Sequence, residues 1–276
     1  MFKNKFIVRK DFILKNRNNE NFIVIDARGL KLTENDFVYD KSIILDYKEF
    51  SFLSIDVGDY YDNVPYSKEV LIKKFLKYNI DNNKIVLVYT NTKNYNSMGE
   101  DGRIKYLLNL CNIDCYILDG GIDEVIRSGF YKKNDKTIDV SIDFINKPFL
   151  EYESSILTKE LLSCYKDKNI KIVDVRYKEE YDGTMVFDDY VGGHIKGAIN
   201  FPHIKIYDND GYLLDNKKIE KMIIEMKISK RNTIILYCST ALRATLIFEI
   251  FKMLGYNVRI YHESFALWSN VADIEI

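Results

Sequence analysis

The stretch from Thr233 to Arg243 constrains this chain of 276 residues more than any other. Thr233 to Tyr237 is short, β-branched and apolar on both faces, the pattern of a buried parallel strand covered by helices on both sides. The period then changes. Leu246, Ile247, Ile250, Phe251 and Leu254 share one helical face, and Gly255 follows as a stop signal. A helix is therefore predicted to start near Arg243, which leaves Cys238 in the loop between strand and helix. There a side chain meets unpaired backbone N–H groups and the positive end of the helix dipole, and both favour a thiolate. Cysteines so placed act as nucleophiles, whereas a cysteine in an apolar core is an inert small hydrophobe. The loop favours the nucleophile reading for Cys238.

The same pattern occurs twice. An apolar run from Asn21 closes on Asp26 and Arg28, and a second from Ile170 closes on Asp174 and Arg176, with 148 positions between Asp26 and Asp174. That interval suits a duplicated domain; solenoid repeats run to roughly 20–50 residues. Ser67 and Asp215 are candidate caps of helices that precede the buried strands Lys84 to Thr90 and Thr233 to Cys238. Thr90 thus occupies the place of Cys238 in the first half. Helices are expected near Arg103 to Cys111 and from Ala244 to Leu254, then strands at Cys115 to Leu118 and Val258 to Tyr261. Strands alternating with helical patterns predict an α/β chain of two domains, each a mainly parallel sheet flanked by helices. The expected boundaries are 1–135, a linker at 136–150 that holds Pro148, and 151–276 with Thr158 as the cap of its first helix.

Charge and cysteine usage limit the function classes. Forty basic residues stand against 41 acidic ones, a formal charge of −1, which implies neither a nucleic acid nor another polyanion as partner. No apolar run of about 18 residues is present and Met1 to Asp11 lacks a signal-peptide core, so a cytoplasmic protein without membrane attachment is expected. The four cysteines carry no redox-pair spacing, and three histidines give little for a zinc site. No metal or organic cofactor is called for.

Taken together, Asp174-Val-Arg176, Glu180-Tyr-Asp-Gly183, the run from Gly192 to Pro202 containing Gly-His-Ile-Lys-Gly-Ala, the Cys238 to Arg243 loop and the closing Tyr261 to Trp268 resemble a tandem-domain rhodanese, the thiosulfate and 3-mercaptopyruvate sulfurtransferase family. The likeness spans about 100 residues of the second half. In the first half it is to the inactive partner domain, with Asp26-Ala-Arg28 and Leu118 to Gly121 kept but no Gly-His-Ile segment and no loop cysteine. The resemblance implies a rhodanese-like fold in both domains, a scaffold role for the first, and a catalytic second domain. There Cys238 takes the outer sulfur of a small anionic donor as a persulfide and passes it to a thiol, to cyanide or to a protein acceptor.

Ser239, Thr240, Ala241, Leu242, Arg243 and Arg176 are the candidate substrate-binding residues. Backbone N–H groups from Ser239 to Arg243 could cradle the anionic persulfide at the helix start. Ser239 and Thr240 either add hydroxyl donors or simply suit a helix approach. Arg243 either draws the anionic donor, the slightly favoured role, or pins the loop through an acidic neighbour. Arg176 either contacts substrate or belongs to an Asp–Arg network. His194 is read as structural, because a thiolate stabilised by the loop needs no general base.

Two rivals remain. One is a non-enzymatic sulfur-binding or sensory module on the same fold. The other is a cysteine phosphatase, disfavoured because four residues separate Cys238 from Arg243 where the phosphatase loop has five. Ala241 stands where many family members have glycine, and a φ above zero there would require a reshaped loop. Glu180 stands where some two-domain members carry a substrate-binding arginine, which leaves the donor open.

Overall fold

The computed structural model describes residues 6–52, 64–93, 97–135, 152–186 and 191–276. The chain divides into two compact units. The first holds the described residues of 6–51 and 65–135 together with Tyr207–Leu213, and the second Phe52, Val64 and the described residues from 152 to 206 and from 214 to 276. The linker expected at 136–150 lies outside the described residues. Tyr207–Leu213, within the expected 151–276, groups with the first unit, and Phe52 and Val64, within the expected 1–135, group with the second.

In the first unit the order is β1 (Ile7–Val8), α1 (Lys10–Asn16), β2 (Phe22–Asp26), β3 (Phe37–Tyr39) and β4 (Ile43–Ile44), followed by the short strands β5 (Ser51–Phe52) and β6 (Val64–Pro65), of which Phe52 and Val64 count with the second unit. Then come α2 (Lys68–Leu76), β7 (Ile85–Tyr89), α3 (Glu100–Leu110), β8 (Cys115–Leu118), α4 (Gly121–Ser128) and β9 (Tyr131–Lys133). Strands β1-β8-β7-β2-β4 form a five-stranded parallel sheet, and β3 pairs with β9 in an antiparallel ribbon.

The second unit repeats this plan. Its elements are β10 (Ser155–Ile156), α5 (Thr158–Cys164), β11 (Ile170–Asp174), α6 (Lys178–Tyr181), β12 (His194–Ile195), β13 (Ile199–Asn200), α7 (Asn216–Glu225), β14 (Thr233–Tyr237), α8 (Leu242–Met253), β15 (Asn257–Tyr261), α9 (Ser264–Val271) and β16 (Ile274–Glu275). The parallel order is β10-β15-β14-β11-β13, with β12 and β16 as the antiparallel ribbon. Register matches too: Asp26 faces Tyr89 in the first sheet and Asp174 faces Tyr237 in the second.

Each central strand is apolar on both faces because helices cover both. Val86 to Tyr89 and Ile234 to Tyr237 are almost wholly out of solvent. In the second unit Trp268 and Phe265 of α9 pack with Ile172, Ile235, Tyr237 and Tyr261, and the Trp268 indole N–H donates to Asp273 O at 3.1 Å. Burying two such aromatics contributes roughly 2–3 kcal/mol each, and it fixes where α9 meets the end of β14. Asp215 caps α7 as expected, its carboxylate accepting from Lys217 N and Lys218 N. Thr158 is not a cap. It is the first residue of α5, and its hydroxyl and N–H both donate to Glu263 at 2.6 Å. Among the described residues no helix is long and apolar enough to cross a membrane.

Candidate active site

The site is built where β14 ends. Tyr237, the last strand residue, is buried, and its hydroxyl accepts from Ile195 N at 3.1 Å. Cys238 follows at 1% exposure. The loop then turns into α8 one residue earlier than the sequence suggested, at Leu242. Ala241 is the N-cap with φ 63° and ψ 0°, a left-handed conformation that glycine adopts freely and alanine does not. Alanine takes the glycine conformation and bears its strain.

Helix α9 holds the loop from the other side. Phe265 N donates to Cys238 O at 3.0 Å and Ala266 N to Ser239 O at 3.2 Å. Two first-turn N–H groups of α9, which would otherwise lack intrahelical partners, thus hold the carbonyls of the loop. Cys238 N donates to Ser264 Oγ at 3.4 Å, and Ser264 Oγ donates to Tyr261 O at 2.8 Å. Cys238 and Ser239 are anchored through their backbones. The first-turn N–H groups of α8 lie just beyond Ala241, at the positive end of a 12-residue helix. Thr240 and Leu242 are half-buried.

Arg243 does not face outward for a ligand. Its Nη1 donates to Glu180 Oε2 at 2.6 Å, and its Nη2 donates to Glu180 Oε1 at 2.9 Å and Ser239 Oγ at 2.8 Å. Both partners are buried, Arg243 at 3% and Glu180 at 1% exposure. Of the two roles weighed from the sequence, the geometry has Arg243 pinning the loop through an acidic neighbour. Burial disfavours the charge on Arg243, but its hydrogen bonds to Glu180 and the nearby charges of Cys238 and Glu180 outweigh that and move its pKa upward. Burial likewise pushes the Glu180 carboxyl up, and the Arg243 guanidinium, with Tyr177 N donating at 3.0 Å, brings it net below the usual carboxylate range.

Arg176 is held in a second network. Its Nη2 donates to Asp174 Oδ2 at 2.7 Å and to Gly193 O at 2.6 Å, and the guanidinium lies 3.9 Å from the Phe265 ring centre. At 1% exposure it braces the end of β11 against the Gly192-Gly193 turn, the contacts of the Asp–Arg reading. The first unit has the same brace: Arg28 donates to Asp26 at 2.6 Å and to Phe37 O at 2.6 Å. His194 stacks on Tyr181 with centroids 3.6 Å apart and donates through Nδ1 to Tyr181 O at 2.9 Å, a packing role. His203 Nδ1 donates to Val175 O at 3.1 Å.

Sequence reading missed the link between Glu180 and Arg243. The two are 63 positions apart and no local pattern joins them. The available signal was an acidic residue four positions past Arg176, next to a loop whose only cation is Arg243.

A cysteine-bearing loop between a parallel strand and a helix, with its carbonyls held by a following helix, is the centre of a rhodanese-like domain, and residues 157–271 match the family model of that description, Rhodanese-like domain. Residues 157–271 thus carry a rhodanese-like domain. Relatives of the chain include the sulfur carrier protein TtuD of Thermus thermophilus, 24% identical over 270 residues that cover 91% of this chain and 90% of that protein. A putative thiosulfate sulfurtransferase SseB of Mycobacterium tuberculosis is 27% identical over 101 residues, 37% of this chain and 36% of the relative's length. A thiosulfate sulfurtransferase of Azotobacter vinelandii is 33% identical over 109 residues, 39% of this chain and 40% of that one. The crystal structure of YnjE superposes with a TM-score of 0.77 at 18% identity, covering 99% of this chain and 69% of that one, a likeness of fold.

Proposed function

We propose that the protein is a sulfurtransferase that moves a sulfane sulfur, from a donor such as thiosulfate or 3-mercaptopyruvate, to a thiophilic acceptor through a Cys238 persulfide. The observation that carries this reading is the position of Cys238, at the end of β14 and the approach to α8, with its carbonyl and that of Ser239 held by α9. With thiosulfate, Cys238 Sγ as thiolate attacks the outer sulfur. The Sγ–S bond forms, the donor's S–S bond breaks, and sulfite leaves with the bonding pair. An acceptor such as cyanide then attacks the outer persulfide sulfur, leaving as thiocyanate and restoring the thiolate. The positive end of α8 favours the anion at both stages. All four cysteines are free, which agrees with a reducing compartment such as the cytoplasm.

The test is mass spectrometry of the intact protein after incubation with donor. Wild type gains the mass of one sulfur atom and Cys238→Ser gains none; transfer by the serine variant at the wild-type rate refutes the assignment. A second reading, a sulfur-binding module without turnover, is favoured by the capture of Arg243, which leaves the loop's cation paired, and by the sulfur carrier among the relatives. Continuous thiocyanate release with cyanide supports the enzyme, and release that stops at one equivalent supports the module. The paired Arg243 also counts against phosphate ester hydrolysis, which needs that cation for its substrate.

A further inference from the structure

We propose that Glu180 sets the donor class of the site: by holding Arg243 it selects the uncharged sulfur of an alkyl hydropersulfide over the thiosulfate dianion. This rests on the sulfur-transfer reading above and deepens it. Arg243 supplies the only cation of the Cys238–Arg243 loop, and Glu180 takes both terminal nitrogens of its guanidinium at 2.6 and 2.9 Å. The nearby guanidinium of Arg176 is matched by Asp174 at 2.7 Å. With Cys238 as the attacking thiolate, two matched pairs leave its charge unbalanced, so the reactive form of these groups is net negative when a donor arrives.

A dianion entering such a buried place meets repulsion that water screens poorly. A hydropersulfide is more acidic than a thiol, and it is its protonated form R–S–SH, the electrophile of this step, that brings no charge to the reacting sulfur. Cys238 Sγ attacks the outer sulfur, the Sγ–S bond forms and the donor's S–S bond breaks. The thiolate R–S⁻ leaves with the bonding pair, and the proton stays on the outer sulfur of the new persulfide. One negative charge enters the step and one leaves, so the site never holds more than it began with. A bidentate carboxylate is also fixed in place: Tyr177 N donates to Glu180 Oε2 at 3.0 Å, and the Glu180 carbonyl accepts from Gly193 N at 3.1 Å. Arg243 therefore has no easy route to a ligand while Glu180 is ionised.

The experiment uses the full chain, with cysteine hydropersulfide and thiosulfate as the two probes, and follows sulfur gain at Cys238 by time-resolved intact mass. Glu180→Gln keeps the shape and removes the charge. It is expected to shift the ratio of the two second-order rate constants toward thiosulfate by about tenfold or more. Added salt should speed the wild-type reaction with thiosulfate, because screening relieves repulsion, and slow that of the variant, where Arg243 attracts. A ratio unchanged in a variant that keeps the wild-type near-ultraviolet circular dichroism overturns the proposal. So does a wild-type thiosulfate rate that falls with salt, a measurement that stands even if the variant does not fold. A wild type that gains sulfur from neither probe, nor from 3-mercaptopyruvate, refutes sulfur transfer itself, a separate outcome from either of these.

Discussion

Ala241 shows what a single residue can reveal about a loop. Its φ of 63° places an alanine where the backbone prefers glycine, at the helix start three residues after Cys238. The left-handed region costs a non-glycine residue roughly 1–2 kcal/mol, part of which glycine gives back through its more flexible unfolded chain. Ala241→Gly is therefore expected to stabilise the protein by about 0.5–1 kcal/mol, read as a higher denaturant midpoint at unchanged slope. A lower midpoint would show that the methyl group, fully buried here, gains more from packing than the backbone loses. Asp101, in the first turn of α3, is the other residue at odds with its surroundings. It is buried, its Oδ1 accepts from Gly102 N at 2.8 Å, and its Oδ2 has no hydrogen-bond partner. Burial, aided by the charge of Glu100 and opposed by the Gly102 N–H, pushes the carboxyl up to about 7. A raised carboxyl favours the protonated fold, so its contribution is complete below the ordinary aspartate value and is lost as pH rises through about 7. Asp101→Asn should remove that loss, a difference on the order of 3 kcal/mol between pH 4 and pH 8. Parallel melting curves of the two proteins across that range would contradict the assignment.

At the scale of elements, the sequence exposed what is local and hid what is distant. The runs at Phe22–Asp26, Ile85–Tyr89, Ile170–Asp174 and Thr233–Tyr237 are central strands as expected, because a strand covered on both faces must be apolar throughout. Helices α7 and α8 followed from their periodicity and caps. Short pieces did not: β12 and β16 pair through two residues each, too few for any alternation to register. The segment Tyr207–Leu213 was unreadable for another reason. Nothing in its polar, turn-like residues says that Tyr212 donates to Glu124 at 2.8 Å, that its ring lies 4.1 Å beneath Arg9, or that Leu213 N donates to Asp119 at 2.8 Å. These partners lie 88 and more positions away in sequence. The glycine signal was present but could not be decoded: Gly120 has φ 86°, and any side chain there would strike the Tyr212 ring. The site divides in the same way. Cys238 and its loop were legible from a change of period, while the Glu180 carboxylate that disarms Arg243 was visible only once β11, α6 and α8 were placed together.

For the molecule as a whole, the duplicated frame separates what the fold supplies from what the chemistry needs. Both sheets carry the same strand order and the same Asp–Arg brace, and in both the residue after the central strand has its carbonyl held by a following helix. Thr90 O accepts from Ile122 N at 2.9 Å as Cys238 O accepts from Phe265 N at 3.0 Å. The frames part after that residue. Cys238 is three positions before the left-handed N-cap Ala241, whereas Thr90 is nine before Gly99, the left-handed N-cap of α3. The first turns also differ in charge, with Glu100 and Asp101 on α3 and none of that sign on α8. A carboxylate there, such as that of Glu100, opposes an anion that the helix end would otherwise favour. A cysteine alone should therefore not convert the first unit. In a Cys238→Ser background, Thr90→Cys is expected to gain no sulfur from thiosulfate or cysteine hydropersulfide under conditions in which wild type gains one. Sulfur on residue 90 at a rate near the wild type's would mean that the strand end suffices, and that the short loop into α8 is not what makes Cys238 reactive.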